Sequence, residues 1–417
     1  MDLATKLFKG DRVVWIVFMI LCAISVIEVF SATSTLTYKD GNYWGPIIRH
    51  SLFLMVGFGV VLVVHNIPYR FFSALTILLP ISAGLLLFTF FFGKEINNAN
   101  RYMSLFGVSF QPSEIAKLAC IVFVAFLLSK RNMFTDSQIF KYILIGVSII
   151  CVLIMPENFS TAALLFAVCF LMMFVGQISM IRLGGLLLVL ILFLALFITS
   201  LFLVKEEWLP DRAVTWKTRI EEFFKPKPPL DAATYKITDY NRQETFAKIA
   251  IASGGMGKFP GQSVNRDFLP QAFSDFIYAI IIEEMGVLGG FLVLLLYVIL
   301  LFRAGMIARK CEKLFPKFLV LGCGLLIAVQ AFANMGVVVG LFPVTGQPLP
   351  LISRGGTSTI ITCVYVGIIL SISRFGTGMG NEEDVDEETD SDIIEYDSSI
   401  SEDTPLTAVA TLTETNV

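Results

Sequence analysis

Asp275 stands at the entrance to an apolar run, "QAFSDFIYAIIIEEMG" (271–286), and Glu283 and Glu284 lie inside it, two turns and roughly 12 Å deeper if the run is helical. A carboxylate at such a mouth can take the proton of an attacking hydroxyl. It can equally cap the helix that follows, a role open to Ser274 as well. Adjacent helical residues point about 100° apart, so Glu283 and Glu284 face different neighbours. The amides of Gln330 and Asn334, in a later apolar run, are suitable neutral partners. The pair reads as mainly structural.

A second group precedes the fourth apolar run, in "NNANRYMSLFGVSFQPSEIAKLA" (97–119). Arg101 falls outside the run and Gln111 at its edge. Glu114 and Lys117 sit three residues apart on one helical face, where they can pair. A third group is "GLFPVTGQPLPLISRGGTS" (340–358), with three prolines and four glycines. Irregular backbone of this kind survives at membrane depth only where protein buries it or a polar cavity adjoins it. Gly355 and Gly356 open the last apolar run beside Arg354, and amides at a helix start favour anions. With this density of Gly, Pro and Arg, the segment that holds Ser353, Arg354 and Ser358 reads as a site and not as a generic turn. In "MPENFSTAA" (155–163), Glu157 reads as a helix-start acid, with Ser160 or Thr161 as the cap.

The elements that carry these residues are apolar. Hydrophobic residues make up 56% of the 417-residue chain and charged ones 16%, with a mean hydropathy of +0.77. A soluble enzyme carries about a quarter charged residues. Ten apolar runs, at about 12–32, 48–66, 71–92, 112–129, 140–156, 159–176, 182–204, 276–302, 316–341 and 356–374, approach or exceed the roughly 17–25 residues that cross a bilayer. The sequence therefore predicts an all-α polytopic membrane protein with ten transmembrane helices. Lys and Arg number 14 at the loop ends on the N-terminal side and five at the short loops opposite. The positive-inside rule then puts both termini in the cytoplasm.

Residues 1–10 are a cytoplasmic lead, 11–375 the membrane domain, and 205–275 a large extracytoplasmic loop between spans 7 and 8. Within that loop "KPKPP" (225–229) predicts a stiff extended element. Residues 243–252 predict an amphipathic helix at the outer interface, closed by Gly254 and Gly255. Residues 376–417 carry 13 acidic residues and no Lys or Arg, which predicts a disordered cytoplasmic tail. Two histidines and seven cysteines without metal-ligand spacing exclude a histidine-built metal centre or triad. No internal repeat supports a transporter built from inverted halves.

Read together, "QPSEIAK", "GGMGKFPG", "LPQAFSDF" and "GLFPVTGQPLPLISRGGTS" resemble, in order, the motifs of the SEDS family (shape, elongation, division and sporulation), nearest its cell-division branch. The resemblance spans about residues 11–375. It departs at Glu157-Asn158, where the family has an Asp, and at Arg354, where it commonly has Tyr. The resemblance implies a peptidoglycan glycosyltransferase that polymerises lipid II, with Asp275 as catalytic base and release of undecaprenyl pyrophosphate. Arg101, Lys117, Arg354, Ser353 and Ser358 would bind the pyrophosphate. Gln111, Glu114, Glu283, Glu284 and Asn334 would support the site. It also implies a class B penicillin-binding transpeptidase and other division proteins as partners, in the bacterial inner membrane at the septum, with no nucleic acid. The metal requirement stays open, a divalent cation such as Mg2+ being the candidate. A lipid II flippase and an elongation-type polymerase are the alternatives.

Overall fold

The computed structural model describes residues 8–32, 45–95, 100–105, 108–205, 208, 211–224, 237–238, 241–257, 261–269 and 272–376. The extended element expected at 225–229 and the acidic tail from 377 onward lie outside the described residues, as does the side chain of Arg101.

Each expected apolar run becomes a helix. They are α1 (Arg12–Ala32), α2 (Gly45–Val64), a 3-10 turn (Tyr69–Ile77) continuing into α3 (Leu78–Phe92), α4 (Pro112–Ser129), α5 (Asp136–Ile154), α6 (Phe159–Val175) and α7 (Met180–Leu203). After the large loop, which holds α8 (Asp211–Phe224) and α9 (Arg242–Gly254), come α10 (Ile277–Lys310), α11 (Leu314–Val338) and α12 (Thr357–Phe375). Among the described residues nine helical stretches are long and apolar enough to cross a membrane, and α6 is a shorter apolar helix of 17 residues. Among the described residues three short antiparallel strands interrupt the helical pattern: β1 (Lys94–Glu95), β2 (Asn100–Leu105) and β3 (Val108–Phe110). They lift the chain between α3 and α4 into a small ribbon that no apolar periodicity announced.

The centre of the bundle is α4, α11 and α12. In α4, 78% of the apolar window is buried, against 6% in the peripheral α7. Small residues permit this crowding. A Cβ on Gly322 of α11 would stand 2.6 Å from the Ile121 side chain of α4. Association of apolar helices without a hydrophobic drive rests on such close approach.

The local starts are set by side chains. Thr135 and Gln138 form a capping box on α5. Asn158, rather than Ser160 or Thr161, caps α6 by accepting from the Thr161 amide at 3.2 Å. Asn158 is extended and immediately precedes the first helical turn, as a cap requires. At α10 the N-cap position falls on Phe276, not on Ser274 or Asp275, and Phe276 makes no side-chain cap bond.

The 34 residues of α10 would run roughly 50 Å as one helix, well beyond a hydrocarbon core of about 30 Å. The helix breaks instead at Gly286, whose φ of 72° lies in the left-handed region. A Cβ there would meet the Gly257 nitrogen at 2.7 Å, and one on Gly254 would meet the Ile282 carbonyl oxygen at 2.2 Å. Helix α9 thus packs backbone against backbone on the first segment of α10, burying Thr245, Ala247, Ala250 and Gly254. The helix expected over 243–252 is present, and its small-residue face is occupied by protein.

Candidate active site

Asp275 lies half-buried in the turn that leads into α10. The Ser274 hydroxyl donates to its Oδ1 at 3.0 Å, and the Asn334 amide of α11 donates to its backbone carbonyl at 2.8 Å. Its Oδ2 stands 3.4 Å from where a Cβ on Gly346 would project, so the irregular loop between α11 and α12 runs close beside the carboxylate. The φ of 68° at Gly346 suits that approach, and φ also turns positive at Leu351.

This loop is laced to the Asp275 turn. The Ser353 hydroxyl donates to the Ser274 carbonyl and accepts from the Leu349 amide, while the Arg354 amide donates to the Phe273 carbonyl at 3.0 Å. The Asn334 amide also reaches the Gln347 carbonyl at 2.7 Å, and the Gln347 side chain donates to the Thr161 hydroxyl of α6 at 2.7 Å.

One turn along α11 from Asn334, Gln330 joins the same loop to the buried pair in α4. Lys117 Nζ lies 2.8 Å from Glu114 and 3.2 Å from the Gln330 oxygen, and the Gln330 nitrogen donates to the Pro348 carbonyl at 3.1 Å. Lys117 is 1% exposed and Glu114 6%. A buried ion pair is tolerated when further hydrogen bonds satisfy it, as Gln330 does here. With this geometry Lys117 and Ser353 support the loop, whereas Arg354 keeps a guanidinium half-buried over the Phe273 ring, 5.4 Å from its centroid. Gln111 precedes α4 with no side-chain cap bond, and Ser358 lies in the first turn of α12.

Glu283 and Glu284 are both fully buried, in the segment of α10 ahead of the break. The bonds they make run not to Gln330 and Asn334 but to the backbone and side chains of 261–265 and to Ser31. Glu283 accepts from the Ser263 hydroxyl, the Val264 amide at 3.2 Å and the Asn265 side chain at 2.9 Å. Glu284 accepts from the Ser31 hydroxyl of α1, the Gly261 amide at 3.0 Å and the Ser263 amide at 3.2 Å. The close packing at Gly254 and Gly257 brings this loop beside α10, so amide donors stand nearer than α11 does.

An apolar cavity of about 550 Å³ opens on the other side of the 342–347 loop, between α6, α7, α8 and α11. Phe159, Phe197 and Trp216 cluster on its wall with ring centroids 5.6–5.9 Å apart. Arg219 and Gln347 supply polar atoms at its lining, and Arg219 donates to the Val344 carbonyl at 2.9 Å. The residues that border the cavity, Thr345 and Gln347, flank Gly346, the neighbour of Asp275. An acid, a half-buried cation and an apolar chamber thus share one loop. Among the described residues no group of three or more His, Cys, Asp or Glu gathers to hold a metal ion.

The family model FTSW_RODA_SPOVE, described as a cell cycle protein, matches residues 11–378. The chain belongs to this family. It is accordingly an integral membrane protein. Relatives include the "Probable peptidoglycan glycosyltransferase FtsW" of Geobacter sp. strain M18, 31% identical over 87% of this chain and 96% of the relative. The protein of the same description in Geobacter sulfurreducens is 29% identical over 88% and 95%. Among solved structures, the Thermus thermophilus rod shape determining protein RodA superposes with a TM-score of 0.61 at 23% identity, over 88% of this chain and 97% of that one. A chain from a structure described as "Structural coordination of polymerization and crosslinking by a peptidoglycan synthase complex" gives 0.69 at 21%, over 88% and 98%. At these identities the two structures carry the fold alone.

Every site residue expected from the sequence falls inside the FtsW/RodA/SpoVE match. Sequence reasoning passed over Glu28 and His50, both buried, and Gln347, and took Thr161 only as a cap, whereas Gln347 and Thr161 tie the loop to α6. Glu28 had a legible signal, an acid inside the first apolar run, the same signal that marked Glu283. Gln347 and Thr161 had none, because their importance comes from a contact across 186 residues of chain.

Proposed function

We infer that this protein is a peptidoglycan glycosyltransferase that polymerises lipid II. The observation that carries the reading is Asp275, a half-buried acid whose carboxylate borders a loop with a half-buried arginine on one side and an apolar cavity on the other. A lipid-linked glycosyl diphosphate needs these three environments: a base for the acceptor hydroxyl, a cation for the diphosphate and an apolar space for the chain. Asp275 takes the proton of the attacking hydroxyl, the bond from the anomeric carbon to the diphosphate breaks, and Arg354 stabilises the departing charge. A single displacement inverts the anomeric centre and needs one base. The names of the relatives support the same reaction.

The intramembrane charges that favoured a flippase are closed within the protein, Lys117 by Glu114 and Gln330, Glu283 and Glu284 by Ser31 and the backbone and side chains of 261–265. This weighs against a conducting pathway. The proposal places both termini in the cytoplasm, by the positive-inside count, and the enzyme beside a class B transpeptidase at the division septum. The solved synthase complex that shares the fold supports a crosslinking partner. The test is polymerisation of labelled lipid II by the purified protein, alone and with that transpeptidase. Flipping without polymerisation would overturn the reading.

A further inference from the structure

The loop beside Asp275 is held by its carbonyls. Asn334 and Gln330 of α11 donate to those of Gln347 and Pro348. The Tyr297 hydroxyl of α10 donates to that of Pro350, and the Ser25 hydroxyl of α1 to that of Ile352 at 2.7 Å. The last two bonds bracket Leu351, whose φ of 66° lies in the left-handed region. That conformation is costly for any residue but glycine and persists only where its surroundings over-determine it. Here the surroundings are side chains from two helices, for Tyr297 and Ser25 are both fully buried.

Ser25 uses its hydroxyl differently from other helical residues of the bundle. Ser82, Thr89 and Ser129 donate to the preceding turn of their own helices, the ordinary habit of these side chains. Ser25 reaches instead to a carbonyl 327 residues away. His50 of α2 stands behind it, 2% exposed, with Nε2 at 2.8 Å from the Ser25 oxygen. A carbonyl only accepts, so the one Ser25 hydrogen goes to Ile352 and His50 donates from Nε2. The buried Nδ1 is then left without a partner, a cost that an apolar side chain would avoid. An apolar side chain, however, would leave the hydroxyl free to turn back to its own helix.

The peptide that Ser25 holds is the one that aims Ser353. The Ile352 carbonyl and the Ser353 amide share one rigid plane, and the amide donates to the Leu349 carbonyl at 2.9 Å. With both ends of the plane tied, the Ser353 hydroxyl is delivered to the Ser274 carbonyl. Ser274 in turn donates to Asp275 Oδ1 at 3.0 Å.

We propose that His50 is a positioning residue for Asp275. Acting through Ser25, it locks the strained turn at Leu351 and so keeps Ser353, Ser274 and the carboxylate in register. The proposal rests on the reading of Asp275 as the base, and deepens it by adding a residue of α2 that stands two hydrogen bonds from the loop.

The experiment follows polymerisation of labelled lipid II by the full-length protein in nanodiscs, together with hydrogen–deuterium exchange of the peptide spanning 347–358. His50→Leu should lower kcat on the order of tenfold, the scale of one buried hydrogen bond, with KM changed by less than about twofold. Exchange over 347–358 should quicken. His50→Gln keeps an amide donor near the place of Nε2 and should restore both. Ser25→Ala should lose as much as His50→Leu, and combining the two should cost nothing more, because the histidine then has no hydroxyl to hold. Unchanged kcat in His50→Leu overturns the proposal, even with faster exchange, since the loop would be held without serving Asp275. His50→Gln no better than His50→Leu overturns it too, as does an additive loss of about a hundredfold in the double variant; the imidazole would then serve packing alone. Should His50→Leu fail to fold, Ser25→Ala, which removes a single oxygen, takes its place, and unchanged kcat there has the same meaning. Wild-type protein that does not polymerise lipid II sinks the glycosyltransferase reading, and exchange alone then decides the hold on the loop. Faster exchange in His50→Leu that His50→Gln restores keeps that hold standing, and unchanged exchange removes it.

Discussion

At Asp275 the side chain and the backbone have separate partners, which makes the residue unusually easy to test. Asn334 holds its carbonyl, whereas the carboxylate receives the Ser274 hydroxyl and faces Gly346. Asp275→Asn keeps the size and the backbone contact and removes only the base. Polymerisation of labelled lipid II should fall by at least about 10²-fold, the usual contribution of a general base, with the thermal midpoint nearly unchanged. Lys117 calls for a different design. Lys117→Met leaves Glu114 buried without its counter-charge, an effect worth about 3–5 kcal/mol. Glu114→Gln combined with Lys117→Met removes both charges and should recover most of that stability in a denaturation series. If activity returns with stability, Lys117 is a support; if folding returns without activity, it touches substrate. Residue types in "QPSEIAK" and "SDF" made both positions legible, since ionisable groups in apolar runs are costly. What the types could not tell was the division of labour. Lys117 and Arg354 looked alike as candidate anion ligands, and only burial separates them.

The elements were legible wherever apolar length governs. The expected ranges for α1, α4 and α12 agree with the observed helices to within two residues at each end, and the third run does so only when the 3-10 turn (Tyr69–Ile77) is counted with α3. They failed where backbone contact governs. The break at Gly286 and the seating of α9 depend on glycines about 30 residues apart meeting face to face, which hydropathy does not encode. Gly254→Ala should therefore be severe. Its Cβ would lie 2.2 Å from the Ile282 carbonyl oxygen, and that oxygen belongs to backbone that cannot swing aside. Overpacking of this kind costs typically 1–3 kcal/mol or more. The shift would also pull Glu283 and Glu284 from their amide donors. Gly184→Ala in α7 is the control, since its Cβ meets nothing within 4 Å. There the substitution should leave the midpoint unchanged or raise it, by at most about 1 kcal/mol of helix propensity. Equal midpoints for the two variants would refute the backbone-contact account.

At the scale of the whole molecule, the apolar cavity gives the peripheral helices a purpose that their own packing does not supply. Helix α7 buries little of itself, yet Leu194, Phe197 and Ile198 form one wall of the chamber, and Trp216 and Phe223 of α8 close another. Nothing in the sequence announced this space, because it is framed by four helices and a loop whose apolar residues each read as ordinary span or interface. If the chamber takes the polyprenyl chain, filling it should discriminate substrates by chain length while sparing the chemistry. Ala167 of α6 lines the cavity and is already exposed, so a tryptophan there projects into open space instead of into the core. Ala167→Trp should raise KM for long-chain lipid II about tenfold, as loss of a few buried methylene groups at ~0.8 kcal/mol each would do. It should change KM for a short-chain analogue little, and kcat for either little, since Asp275 and Arg354 lie across the 342–347 loop. Kinetics with the two chain lengths decide the matter. An equal loss for both would mean that the tryptophan had disturbed the loop, whereas no loss for either would leave the chamber without a role in holding the chain.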